Sequence, residues 1–385
     1  MQFWKHPILL SIDKHLINYP TPINIHYAWN FGFLSFICLF IQTLSGIFLA
    51  MHYSPNVDLA FTSIEHIMRE VNFGWLLRYI HSNGASMFFI IVYIHLFRGL
   101  YYGSYISPRH FVWIFGIIIL LLMIITAFVG YVLPWGQMSL WGATVITNLL
   151  SVIPIAGNFI VEWIWGGFSV DNPTLNRFFS IHYLLPFILI SLSLIHILVL
   201  HQYGAGNPIG IDSKIDKISI YPYFIVKDLL SCILFLFFFS IFIWFTPNFL
   251  GHSDNYIEAN SMVTPIHIVP EWYFLPFYAI LRSIPNKLWG VLMMISSILI
   301  LACLPLLHST EIRSSRFRPI YKLIYWIFLV CCLILGWIGG LPVEPPYILI
   351  GQLASIYYFL HFIIFLPFLG KLENFLLNYS KQRFK

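Results

Sequence analysis

Residues 78–98 read RYIHSNGASMFFIIVYIHLFR, in which two arginines bracket 19 residues free of Asp, Glu, Lys and Arg. A helix that crosses a bilayer needs about 20 consecutive, mostly apolar residues. This stretch therefore reads as one transmembrane span. Inside it, His81 and His95 stand 14 positions apart. Fourteen residues of α-helix make nearly four turns and climb roughly 21 Å. Both imidazoles then face almost the same way, one near each membrane face.

Used as punctuation, the charges divide the rest of the chain in the same manner. Uncharged intervals run from Lys14 to Asp58, Arg109 to Glu162, Arg177 to Asp212, Asp228 to Asp254, Lys287 to Glu311, Lys322 to Glu344 and Glu344 to Lys371. With the opening stretch they predict eight spans. The first lies near Asn30–His52, the third near His110–Leu133, the fourth ends near Tyr203, and the eighth lies near Ile348–Phe368. Eight crossings put both termini on one side.

On that terminal, or N, side fall Lys5, Lys14, Arg98, Arg109, Lys214, Lys217, Lys227, Arg313, Arg316, Arg318, Lys322, Lys371, Lys381, Arg383 and Lys385. Only Arg69, Arg78, Arg177, Arg282 and Lys287 fall on the opposite, or P, side. Basic residues concentrate in cytoplasmic or equivalent loops, so the N side reads as cytoplasm or mitochondrial matrix. This sorting also accounts for the net charge of +5 without a nucleic-acid partner. A composition 59% hydrophobic and only 9% charged, against about 25% charged in soluble domains, points to lipid as solvent. The stretch Met1–Pro22 has no signal-peptide pattern, because Asp13 and Lys14 interrupt it. The two long connections, 136–176 and 247–287, both lie on the P side and are rich in Trp, Gly and Pro. Connections of that length are functional or disordered, and aromatic content argues against disorder. Short helices covering a site are expected there.

The histidine spacing recurs in the fourth span, at His182 and His196. His52 and His66 are also 14 apart, but Pro55 and Asp58 separate them, so they share no helix. The second and fourth spans both run from P to N. His81 and His182 are thus expected at one depth, and His95 and His196 at another. Two axial imidazoles at each level would hold one haem iron near each face, with no open iron position, as suits electron transfer. Four unpaired imidazoles in hydrocarbon would be costly. His361 stands alone in the last span and receives no role.

Glycines repeat the period: Gly32 and Gly46 in the first span, Gly116 and Gly130 in the third. Small residues permit ordinary close helix packing; beside the histidines they read as clearance for a macrocycle. Arg78 and Arg177 on the P side, and Arg98 on the N side, are placed to pair with haem propionates. The cysteines Cys38, Cys232, Cys303, Cys331 and Cys332 sit in apolar stretches, with no C-x-x-C or C-x-x-C-H among them. They read as small buried hydrophobes, and covalent haem is not expected.

Residues 74–86, 95–105, 130–139 (GYVLPWGQMS), Pro270-Glu271-Trp272-Tyr273 and 279–287 (AILRSIPNK) together resemble the cytochrome b family of respiratory quinol–cytochrome c oxidoreductases. The matches keep family order over nearly the whole chain. The resemblance implies an all-α bundle of eight spans with two non-covalent haem b groups within the first four. It also implies quinol oxidation near the P face and quinone reduction near the N face, with ubiquinol as substrate. Carried over to the P-side pocket are Glu271, Tyr131 and Tyr278 as catalytic residues, with Phe128, Met138, Gly142 and Phe274 as quinone contacts. Glu271 is the implied proton acceptor; the competing reading is a helix-cap or loop-stabilising acid. Carried over to the N-side pocket are His201, Lys227 and Asp228, against the competing reading of an interfacial ion pair with a capping histidine. Ala205 and Gly206 stand where the family commonly has serine and asparagine.

Implied partners are a Rieske iron–sulfur protein, a cytochrome c-type subunit, other complex III subunits and a homodimeric complex, in the mitochondrial inner membrane with matrix-side termini. Residues 1–210 form the expected dihaem bundle, with its connection 136–176. Residues 211–385 form the second part, with the quinol-site loop 247–287. Two alternatives stay open at this point: a haem-free proton-coupled transporter, and another dihaem quinone-linked membrane anchor.

Overall fold

In lipid every backbone amide must find its partner within the chain, which for a single segment leaves only the helix. The computed structural model describes residues 6–383 and is mostly helical. Lys5 and Lys385, counted above on the terminal side, lie outside the described residues. In chain order the helices are α1 (Pro7–Ile12), α2 (Phe31–Ala50), α3 (Ala60–Arg69), α4 (Gly74–Tyr101), α5 (His110–Val132), α6 (Gln137–Asn148), α7 (Gly157–Trp165), α8 (Asn172–Tyr203) and α9 (Tyr223–Trp244). They continue as α10 (Leu275–Arg282), α11 (Lys287–Ala302), α12 (Leu304–Leu307), α13 (Pro319–Gly339), α14 (Tyr347–Leu360) and α15 (Leu366–Arg383).

Seven helical runs among the described residues are long and apolar enough to cross a membrane. They correspond to all the expected spans but the sixth. That one is the 16-residue α11, which breaks at Cys303 and resumes as α12. Pro305 explains the break, since it lacks an amide donor and its ring crowds the carbonyl four residues back. Together 287–307 would rise about 31 Å at 1.5 Å per residue, enough to complete the eighth crossing. The last span is longer than expected. It runs unbroken from Tyr347 to Arg383, through a π-helical turn at His361–Phe365 placed just before Pro367.

Packing is pairwise: α2 lies along α4, and α5 along α8. One apolar core joins Leu34, Cys38 and Leu39 of α2, Met87 and Phe89 of α4, Leu120 and Met123 of α5 and Leu189 of α8. Phe235, Phe239 and Ile243 of α9 enter the same core, so α9 packs with the first bundle. A second core gathers α13, α14 and α15 around Phe328, Leu335 and Phe362, and reaches Leu100, Trp113 and Ile117 of α4 and α5. His52 lies beyond the end of α2 and His66 inside α3, so the third 14-residue spacing does not share a helix.

Both long P-side connections contain short helices, α6 and α7 in one and α10 in the other. They are stitched together. Gln137 N–H donates to Ile257 O at 2.9 Å, and Asn255 Oδ1 accepts from Ser139 N–H and hydroxyl, each at 2.9 Å. The indole of Trp141 donates to Val263 O at 3.1 Å. Across the molecule, β1 (Pro20–Pro22) pairs antiparallel with β2 (Lys217–Ser219), Thr21 facing Ile218. This two-stranded clip holds the N-terminal lead-in against the loop that follows α8. Of the five free cysteines, Cys38 and Cys331 are buried, Cys232 and Cys332 are half-buried, and Cys303 is exposed at the α11 break.

Candidate functional site

Because α4 and α8 run side by side in direction, their histidines meet level by level. The His81 and His182 rings are 6.1 Å apart between centres and nearly perpendicular, at 85°. The His95 and His196 rings are 6.5 Å apart at 59°. Each separation leaves room for one metal between two imidazole nitrogens at ordinary bond lengths of about 2 Å.

Proton positions at the P-side pair follow from the neighbours. His182 Nδ1 lies 2.9 Å from Thr126 O. A carbonyl only accepts, so Nδ1 carries the proton and Nε2 is left with its lone pair. Ser45 spends its hydroxyl proton on Ile41 O at 2.7 Å, and its oxygen is 3.0 Å from His81 Nδ1. It therefore accepts from that nitrogen, and His81 Nε2 is likewise a free donor to metal. This is the ligand-ready tautomer that metal-binding histidines hold through their second nitrogen.

On the N-side level, His196 Nδ1 is buried with no hydrogen-bond partner. Arg98 donates to His95 Nδ1 at 3.0 Å, which requires the opposite tautomer. Ligation through His95 Nε2 thus displaces Arg98 from the ring. Arg98 lies over the Trp29 ring at 5.2 Å with its Nε buried and unpartnered, a cation with donors to spare for an anionic group.

The four glycines fit the same picture with one refinement. A Cβ on Gly46 would lie 3.0 Å from His81, on Gly32 3.2 Å from His95, and on Gly116 3.4 Å from His196; on Gly130 it would collide with the His182 ring. What each glycine clears is its own histidine ring. The donor set and the clearances suit bis-imidazole ligation at both levels, and the tautomers already do so at the P-side level.

Both faces of the P-side pair open into cavities. One, of about 540 Å³, is lined by Arg78, His81, Gly130, Tyr131, His182 and Glu271 among others. The other, of about 100 Å³, touches Gly46, His81, Gly130 and His182. Arg78 borders both. Arg177 borders neither; it donates to the carbonyls of Trp163 and, at 3.3 Å, Ile164, closing the end of α7.

Glu271 precedes the short turn Trp272–Phe274, but its side chain makes no capping bond, so the helix-cap reading fails. The carboxyl meets the Tyr131 hydroxyl and the field of Arg78. Burial outweighs both and pushes it up to about 7. Of the other P-side residues, Met138 is fully buried and Gly142 has open space where a Cβ would stand. Phe128 packs edge-on to Phe178, and Phe274 edge-on to Phe89. Tyr278 lies 5.0 Å beneath the Arg282 guanidinium. None of these five borders the larger cavity.

At the N side no hydrogen bond or ion pair joins His201 to Lys227 or Asp228 among the described residues. Lys227 Nζ donates to Ile25 O at 2.8 Å and sits over Tyr27 at 5.0 Å. Asp228 forms no ion pair among the described residues, so the interfacial-ion-pair reading is not supported. His201 contacts instead two residues that the sequence left in a lead-in, His15 and Tyr19. Arg109 donates to Gly204 O at 2.8 Å and Ala205 O at 3.3 Å, so these backbone carbonyls have a role although the side chains are absent.

Residues 16–204 match the family Cytochrome b/b6/petB, and residues 258–359 match Cytochrome b(C-terminal)/b6/petD. The chain belongs to the cytochrome b family. A cytochrome b of Chondrus crispus is 72% identical, covering 99% of this chain and all of that one. Cytochrome b of Cyanidium caldarium is 66% identical over 99% of each chain, and that of Marchantia polymorpha 62% over 98% of this chain and 93% of that one. A solved structure described as a hyperthermophilic respiratory complex III superposes with a TM-score of 0.91 at 35% identity, over 97% of this chain and 98% of that one. As a member of the cytochrome b family the chain is an integral membrane electron-transfer subunit of quinol–cytochrome c oxidoreductase, and works with b-type haem and quinone. Other complex III subunits are its partners. Family membership closes the two alternatives left open by the residues alone.

Sequence reading missed Ser45 and Thr126, which set the tautomers of His81 and His182. Ser45 adjoins Gly46, and that adjacency was its only signal. His15 and Tyr19 carried none, because the strand pairing that positions them is not visible in hydropathy.

Proposed function

We propose that His81 with His182, and His95 with His196, each bind one haem b, and that the chain passes electrons between a quinol site near the P face and a quinone site near the N face. The observation that carries this is the meeting of the four imidazoles in two pairs, each ring cleared by its own glycine. The haems supply one-electron transfer from level to level. The chain's own residues do the rest. Ser45 and the Thr126 carbonyl hold the P-side rings with Nε2 bare. Arg78 and Arg98 offer charge to propionates; Arg177, turned to the end of α7, contributes from farther off.

At the P side, Glu271 accepts a proton from quinol and the Tyr131 hydroxyl holds its carboxylate. Phe128, Met138, Gly142, Phe274 and Tyr278 stand behind the residues that line the larger cavity and would meet quinone only when it enters past them. At the N side, His201, Lys227 and Asp228 hold and protonate quinone. The first bundle, 1–210, serves the haems, while the loop 247–287 of the second part, 211–385, closes the P-side site. The laced P-side connections and the basic N-side loops fit a Rieske iron–sulfur protein and a cytochrome c-type subunit as partners in a homodimeric complex, within the mitochondrial inner membrane and with matrix-side termini.

The reduced-minus-oxidised spectrum tests the pairing. Replacing His196 by Leu is expected to remove one b-type haem band and leave the other. Loss of both bands together, or of neither, overturns pairing by level.

A further inference from the structure

Beyond the trio carried by the N-side reading, the structure brings a second imidazole to His201. The Nδ1 atoms of His15 and His201 are 3.4 Å apart, and the two rings are parallel to within 4° with centres 5.5 Å apart. At that offset they lie edge to edge, nitrogen facing nitrogen. The Tyr19 ring covers one face of His201 at 4.1 Å, and its hydroxyl is buried without a partner. The β1–β2 clip ties residues 20–22 to 217–219 beyond the end of α8, and Ile220 and Tyr221 N–H extend it by donating to Tyr19 O and Ile17 O.

Two imidazoles that face each other through Nδ1 can place only one proton between them. If His15 holds it, His201 Nδ1 is bare and its proton sits on Nε2, the far side of Cε1. Arg109 beside Tyr19 and Lys217 beside Gly204 are cations, as is Lys14 next to His15, while the Asp13 carboxylate of the same turn accepts from the Asn18 amide. The cations disfavour a second full charge on the pair. His15 and His201 are both half-buried, so N-side water reaches the pair.

We propose that His15 is a positioning residue for N-side quinone reduction, an imidazole that fixes the tautomer of His201 and resupplies its proton. This rests on the reading of His201 as part of the N-side quinone site. Quinone takes two electrons, delivered by the established electron transfer, and two protons, one on each oxygen. As an oxygen takes the proton from His201 Nε2, His201 Nδ1 takes the shared proton from His15. His15 then takes a proton from water on the N side. No covalent bond other than these N–H and O–H bonds is made or broken. His201 resets when its Nδ1 proton returns to His15, the proton His15 took from water goes back to water, and N-side water protonates His201 Nε2, so that the net transfer is one proton from N-side water to quinone.

The test uses the complete complex purified from membranes, with reoxidation of haem by added ubiquinone followed by rapid mixing across pH 6–9. His15→Gln is expected to slow this step roughly tenfold at the alkaline end, as loss of a proton-transfer partner does, and less at the acid end. Quinol oxidation at the P side and both haem bands stay unchanged, and added imidazole restores part of the rate. His201→Gln slows the step at every pH. A His15→Gln complex with native rate and native pH profile overturns the relay while leaving the N-side site standing. So does a slowed rate with native pH profile and no rescue. A native rate in His201→Gln overturns the N-side reading itself. The unaltered complex gives a second measurement: mixtures of H₂O and D₂O are expected to give a curved dependence, with two protons in flight, and a straight line overturns the relay.

Discussion

Glu271 shows how one residue's surroundings set its chemistry. A carboxyl on an open loop titrates in the ordinary acidic range; this one is driven to about 7 by burial, against the pull of Tyr131 and Arg78. Desolvation wins because it acts on the whole charge, whereas one hydrogen bond and one half-shielded cation repay part of it. The sign follows directly. An acid whose folded pKa is raised weakens the fold, by a cost that is absent below the unfolded value near 4.5, builds up between there and about 7, and is constant above. Ionisation in the folded protein creates the base. Quinol oxidation is therefore expected to rise with pH up to about 7 and then level, and Glu271→Gln is expected to flatten that rise and lower the plateau at least tenfold. Both haem bands remain. Steady-state turnover with a quinol analogue between pH 5 and 9 checks it, and a native profile in the variant removes Glu271 from proton transfer.

Among the elements, α8 carries the most information. Asp171 and Thr174 form a reciprocal capping box at its start, with Pro173 in the first turn. Its 32 residues then hold His182 and His196 on one face despite the internal Pro186. Because ligation depends on angular phase, one Ala inserted after Leu189 is expected to rotate His196 by about 100° relative to His182. The inserted protein should lose the N-side haem and keep the P-side one, where Thr126 and Ser45 still orient the rings. Two bands of native intensity in the difference spectrum would count against the phase argument. The histidine and glycine periods made this element legible in the sequence, as strong regularities that survive any detail of packing. The spans were legible for a simpler reason: hydrocarbon excludes charge. What stayed hidden lay where those two rules lose force. Helix α3, with Glu65, His66 and Arg69, carries too many charges to read as a span and is too short to stand out otherwise. The sixth span was read without its Pro305 break. The β1–β2 clip rests on six residues distant in sequence, and only tertiary pairing reveals that it sets His15 against His201.

For the molecule as a whole, the decisive quantity is the distance between the two imidazole levels along the membrane normal. Fourteen helical residues separate them in α4 and again in α8, a rise of roughly 21 Å across a hydrocarbon layer of about 30 Å. An electron passing from the P-side to the N-side level therefore crosses about two-thirds of the layer. If the potential falls evenly, that step feels about 1.6 kcal/mol per 100 mV, from roughly 2.3 kcal/mol for a full crossing. With the proposed sidedness, in which the basic N side is the interior one, that side is negative in an energised membrane and the potential opposes the electron. In sealed vesicles with the quinone sites blocked, an imposed 100 mV, negative on the N side, is expected to shift reduction toward the P-side haem by about 15-fold, since 1.36 kcal/mol is tenfold. The two b-type bands, followed during a potassium diffusion pulse, report the ratio. A ratio indifferent to voltage would place both haems at one depth, which α4 and α8 allow only if their histidines are not the ligands.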